Sequence, residues 1–253
     1  MGKASDFNPL NRVASVLARY IKRVLTNPAT EATYSQPSWS SAQIIGPHKG
    51  QVVMDVIGKL LDQLEQLGYY KYMETELVAE AKAQATESGY IYGDTVYKYT
   101  DEENIATLVK RAYDADAEDL AECGMEKFLT IIRPFLEAQG VEISSVEEEC
   151  GENGYTTWVN GTEYVMYSAR ELRSENLRRS RVPGGIWALT TYRSFAMING
   201  LLETAGSDER IYMYDDGAQG GAVFLTPEMY KLIRESTAIS ERTKPKAVDE
   251  ESG

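Results

Sequence analysis

Histidine is almost missing from this chain: His48 stands alone among 253 residues, in a stretch rich in proline and serine. Histidine titrates unaided near neutral pH and is the commonest metal ligand. A single copy excludes every scheme that needs two in one chain, and a serine or cysteine triad survives only if His48 serves it. No GxSxG elbow accompanies it, so His48 reads as an ordinary loop residue. Cysteine is scarce too. Cys123 and Cys150 are the only two and form no CxxC pair, which leaves a zinc site or redox motif without support. The simplest setting for so few thiols is a reducing cytoplasm; whether the two are bonded stays open. No apolar run approaches the ~18 residues of a membrane span. No apolar segment near the start precedes a small-residue cleavage site, so secretion by that route is not expected. The glycine-rich DDGAQGG at 215–221 matches neither GxGxxG nor GxxxxGK[ST] and reads as a hairpin loop.

What is abundant is negative charge, unevenly placed. The net charge is −13. Residues 1–50 carry a net +4, residues 51–150 a net −14 and residues 151–253 a net −3. Such asymmetry points to different partners for different segments.

The periodicity divides the chain into four parts. Residues 1–49 are a basic amphipathic helix over 9–25, with Arg12, Arg19, Lys22 and Arg23, followed by a Pro/Ser-rich arm. Its apolar stripe is a burial signal and offers a route to a homo-oligomer. Residues 50–140 are an acidic helical region. Helices are expected over 50–67, ending at Gly68, and over 72–87, ending at Gly89. A short hairpin at 90–99 precedes a helix from the capping box Thr100-x-x-Glu103 to about Glu122. A further helix covers 125–139, with Pro134 expected to kink it. Residues 141–238 form an α+β region. Its clearest hairpin is 155–167, because Asn160-Gly161 is the preferred pair for a type I′ turn. A helix follows over 192–205, then a hairpin over 210–225, and Thr226-Pro227 opens a last helix. Residues 239–253 read as a charged flexible tail. The fold class is therefore α+β: a mostly helical N-terminal half, then antiparallel β-hairpins and two helices.

Three groups of residues are candidates for function. Arg170, Arg173, Arg178, Arg179 and Arg181 precede Pro183-Gly184-Gly185, and forked guanidinium donors suit phosphates and carboxylates. Glu171 and Glu175 lie among them at helical spacing and can pair with them locally. Tyrosine, at seventeen against five phenylalanines, is large, rigid and polar-ended, which suits interfaces. The hairpin aromatics Tyr90, Tyr92, Tyr97, Tyr99, Tyr155, Trp158, Tyr164, Tyr212 and Tyr214 form that set. The carboxylates Glu147, Glu148, Glu149, Asp215 and Asp216 could hold a divalent metal. However, adjacent strand residues point to opposite faces, and they read as a solvated edge and a turn. No metal site or cofactor is expected.

The sequence thus points to a non-catalytic macromolecular interaction protein binding another protein, a basic one, through tyrosine-rich hairpins and charge complementarity. Its form is an acidic neutralising protein, of the immunity or inhibitor kind, or an assembly or virion-type subunit. Nucleic acid ranks behind protein as a partner. The competing expectation is a phosphate- or nucleotide-binding enzyme that uses the Arg170–Arg181 cluster and carboxylates with a divalent metal.

Overall fold

The structure, a computed structural model, describes residues 47–93, 109–173, 185–215 and 220–248. The chain divides into two units, Met1–Ile45 and Gly46–Gly253, and the described residues all belong to the second. The expected N-terminal helix and most of the arm lie outside the described residues, as do Tyr97, Tyr99, Arg178, Arg179, Arg181, Glu175 and Asp216. The fold is α+β, with helices prevailing early and hairpin strands and helices later.

Helix α1 (Pro47–Gln66) starts on a proline, which is pre-set for a first helical position, and stops before Gly68 at φ 81°. A 3-10 turn (Thr75–Leu77) leads into α2 (Val78–Ser88), closed by left-handed Gly89. The helix expected over 100–122 is not what the described part of that stretch forms. Ala112–Asp114 is strand β1, and Ala117–Ala121 is a short helix α3 capped by the Asp116 side chain. Pairing with a strand more than a hundred residues later overrides local helical preference here. Helix α4 (Met125–Ala138) runs through Pro134. The apolar residues on either side of the proline, Ile132 and Phe135, are both buried, and this packing holds the helix together across the missing N–H. Strands β2 (Val146–Gly151), β3 (Gly154–Val159) and β4 (Thr162–Ser168) follow. Asn160 and Gly161 take φ values of 52° and 77°, as the expected tight turn requires. After α5 (Ala169–Arg173) and α6 (Ile186–Thr204) come β5 (Arg210–Asp215), β6 (Gly220–Leu225) and α7 (Pro227–Glu235). Thr226 Oγ1 caps α7 by accepting from Met229 N.

The strands make two antiparallel three-stranded sheets, β1-β6-β5 and β2-β3-β4. The first lies between two apolar clusters. Successive side chains of a strand alternate faces, so Tyr113, Ile211, Ala222 and Phe224 join one cluster while Ala112, Tyr212, Tyr214, Val223 and Leu225 join the other. The first cluster is completed by α3, α4, α6 and the inner face of β2-β3-β4, the second by α1, α2 and α7. Residues 50–140 and 141–238 therefore contribute to both cores and are not separate folding units. In β6, Gly221 lies beneath the Tyr214 ring, where any Cβ would collide with the ring.

The C-terminal segment differs from expectation. Ile239 and Lys244 are buried, and Met213 and Lys246 exchange backbone hydrogen bonds at 3.1 and 2.7 Å. The part of the expected flexible tail up to Val248 is thus docked on β5, because the apolar Ile239 and Val248 find places in the two clusters. Cys123 and Cys150 are joined by a disulfide that ties the α3–α4 turn to β2. This bond answers the question that the sequence leaves open about the two cysteines.

Candidate interaction surface

Among the described residues, only one face of sheet β2-β3-β4 packs on an apolar cluster. Its register fixes what the other face shows. Glu147 pairs with Trp158, and Trp158 with Glu163; one step along, Glu149 pairs with Thr156, and Thr156 with Val165. Strands lie about 4.8 Å apart, and alternate residues about 7 Å. The outer face is therefore two short rows: an indole between two carboxylates about 10 Å apart, then a threonine between a carboxylate and a valine. Glu147, Glu149 and Glu163 are exposed, Val165 is 46% exposed, and Trp158 is half-buried and outside both apolar clusters. None of the three glutamates has a cationic partner among the described residues. The sequence carries this signal in a form that was missed: no lysine, arginine or histidine occurs between Arg133 and Arg170, while seven glutamates do.

The inner face does the opposite work. Glu148 turns inward, half-buried, and accepts from Met125 N at 3.0 Å at the start of α4 and from the Tyr155 hydroxyl. Gly124 has no side chain with which to cap that helix, and a carboxylate from the neighbouring strand takes its place. Burial raises the Glu148 carboxyl above its usual range despite these hydrogen bonds. Burial likewise raises the Tyr155 and Tyr167 phenols. The Tyr167 hydroxyl donates to Ala121 O at 3.2 Å and lies 3.8 Å from Cys150 Sγ. Asn160 secures the approach to the edge strand: its Oδ1 accepts from Ser144 N at 2.7 Å and Ser145 N at 3.2 Å, and its Nδ2 donates to Glu142 O at 2.7 Å.

The aromatic candidates separate on burial. Tyr92, Tyr155, Tyr212 and Tyr214 are buried and are withdrawn from the surface set. Tyr92 and Tyr214 stack at 4.1 Å, Tyr212 stacks on Tyr230 at 4.3 Å, and Tyr92 OH donates to Thr243 O at 2.7 Å. Tyr90 is half-buried and hydrogen-bonded to Tyr214 through its hydroxyl, in a segment that is not strand over 90–93. Tyr164 packs partly on the core. Trp158 alone of the described set points away from it. Hydroxyl partners inside the fold suit Tyr69, Tyr92, Tyr155 and Tyr167 to core positions that phenylalanine would otherwise take.

The described arginines are distributed differently from the expected cluster. Arg170 and Arg173 are exposed on α5. Glu171, expected to pair with them, is engaged by Arg193 of α6, whose Nη1 and Nη2 donate at 3.1 and 2.7 Å, and by Ser168 at the start of α5. Chiefly because of the Arg193 hydrogen bond, the Glu171 carboxyl is lowered to about 2. The sequence reading also missed Arg111. It is 0% exposed and donates to Glu209 Oε2 at 2.8 Å and to the carbonyls of Tyr69, Phe224 and Gly68. Lys71 Nζ approaches the other Glu209 oxygen at 3.2 Å as an ion pair. This network pins the α1–α2 connection to sheet β1-β6-β5 and is consumed internally.

Little else in the described residues suggests chemistry. A cleft of about 190 Å³ lined by Ala81, Gln84, Ala85 and Tyr90 is smaller than the ~300–1,000 Å³ of small-molecule sites. Among the described residues no group of three or more His, Cys, Asp or Glu is arranged to hold a metal ion, and no helix is long and apolar enough to cross a membrane. Comparisons with family models, curated proteins and solved structures return no match.

Proposed function

We propose that this chain is a non-catalytic binding protein that occupies a basic protein surface with the outer face of sheet β2-β3-β4. The observation that supports it is the composition of that face: Trp158 at the centre between Glu147 and Glu163, with Thr156 beside it between Glu149 and Val165. An aromatic centre with a polar rim is the common anatomy of protein interfaces. Carboxylates without a cationic partner among the described residues favour a cationic partner and accelerate encounter with it. They also disfavour nucleic acid, whose phosphates need basic contacts. Two copies meeting through this face would oppose like charges. A neutralising role therefore fits better than assembly through this surface.

The test is a fluorescence-anisotropy titration of the full chain with a lysine- and arginine-rich peptide and with an acidic peptide of equal length. Binding of the basic peptide alone, weakening as salt rises, supports the proposal. No binding of the basic peptide at low salt rejects it. A thermal-shift panel of nucleotides with Mg²⁺ addresses the enzyme alternative, because a ligand of the folded state raises apparent stability. A clear shift with one nucleotide would favour that alternative.

A further inference from the structure

We infer that Trp158 is the receptor for an arginine side chain of the basic partner, stacked on the indole between Glu147 and Glu163. This rests on the reading of the outer sheet face as the binding surface and specifies what that surface grips.

Strand β3 carries an inversion. Thr157 and Trp158 are neighbours on β3, so one faces in and the other out. Burial of apolar area would place the indole inside. Instead Thr157 is fully buried, its hydroxyl without a hydrogen-bond partner of good geometry, while Trp158 lies half-buried on the outer face, outside both apolar clusters. An unpartnered hydroxyl kept inside while the indole stays outside both clusters marks a constraint other than folding.

The surroundings identify the ligand chemistry. An indole face attracts cations through its quadrupole, and carboxylates stand directly opposite on both neighbouring strands. A guanidinium is planar, stacks flat on the ring and directs its N–H donors outward in that plane, towards both sides. An ammonium is a compact charge that must favour one carboxylate over the other. The second row, about 7 Å away, extends the match. An extended partner segment lying along β3 would bring residue i+2 over Glu149, Thr156 and Val165, where a residue with an apolar stem and a positive end fits.

The test uses the full chain labelled with 5-fluorotryptophan. Trp39, Trp158 and Trp187 give three ¹⁹F resonances, assigned with single Trp→Phe variants. The unmodified chain is titrated with an arginine nonapeptide and a lysine nonapeptide. The expected result is that the Trp158 resonance moves with binding and that the arginine peptide binds about two- to fivefold tighter than the lysine peptide. W158A removes that preference. If both peptides bind equally while the Trp158 resonance stays still, the arginine receptor is overturned and the acidic-face reading stands. If neither peptide binds at low salt, both fall. If W158A is poorly folded, the resonance shift and peptide preference of the unmodified chain decide alone.

Discussion

The two sheets have the same size and the same antiparallel topology, yet they are used in opposite ways. Sheet β1-β6-β5 has a core on each side. Its central strand reads Gly-Gly-Ala-Val-Phe-Leu, buried at every position after the first. Sheet β2-β3-β4 has a core on one side, and its central strand alternates between half-buried and buried residues throughout. A strand covered on both faces must be apolar continuously, whereas one covered on a single face is free to present chemistry at every second residue. The first sheet is therefore scaffold. The second holds the only long stretch between Arg133 and Arg170 in which glutamates accumulate without a counter-charge in sequence.

The sharpest way to break this contrast is at the buried charge beside the first sheet. Removing one partner of a buried ion pair leaves the other uncompensated. Arg111→Ala is expected to cost about 3–5 kcal/mol, read as a large fall in the midpoint of urea unfolding. A loss under 1 kcal/mol would show that the network does not hold that sheet. Next comes the link between the second sheet and α4. The bond between Cys123 and Cys150 closes a loop of 27 residues, which corresponds to roughly 3–4 kcal/mol in the loop-entropy account. Unfolding with and without a reductant measures it. Thiol titration of unreduced protein is expected to find no free cysteine; two free thiols would show that the bond is absent.

Acid titration separates two glutamates of this second region. Glu171 is lowered to about 2 by Arg193 and by its other hydrogen bonds. A depressed carboxyl contributes stability that is present above its ordinary value of 4.5 and is lost as pH falls towards 2. Glu171→Gln therefore flattens the acid limb of a stability–pH curve. Glu148 is raised by burial, so the sign reverses. Its contribution is present below the ordinary carboxyl range and is lost as pH rises through its higher folded value. Glu148→Gln, which keeps the acceptor for Met125 N, is expected to gain on the parent as pH rises from acid towards neutrality. An unchanged profile in either variant would remove that glutamate from the account. The smallest effect on stability is expected at the outer face. Glu147→Gln, Glu149→Gln and Glu163→Gln are each expected to stay within about 0.5 kcal/mol of the parent, while together they abolish binding of a basic peptide.

Much of the scaffold was legible because its signals are local. Asn160-Gly161 demands positive φ at two successive residues, Thr226-Pro227 supplies both a cap and a first-turn proline, and Gly68, Gly89 and Gly140 end helices where the apolar period stops. Strand β1 was not legible. Three residues are too few to show an alternation, and its partner β6 is remote in sequence. The candidate surface was half legible. Trp158 and Glu147–Glu149 were singled out, but the face each occupies depends on strand parity. Tyr155, Thr157 and Val159 compete with Thr156 and Trp158 on terms that composition alone does not resolve. The tyrosines misled because a ring with a hydroxyl suits a surface and a hydrogen-bonded interior equally well, and here Tyr92 and Tyr155 found buried acceptors. Arg193 and Arg111 were invisible as functional partners because their carboxylates come from other elements.

The alternation along β6 has a consequence for how the molecule comes apart. Ala222 and Phe224 belong to one apolar cluster, Val223 and Leu225 to the other, so neither cluster has a strand of its own to keep. Melting one side strips the wall from the opposite side. Cutting the described body near residue 140 is expected to yield no self-sufficient fragment, and calorimetry is expected to show that body collapsing in a single heat-absorption peak.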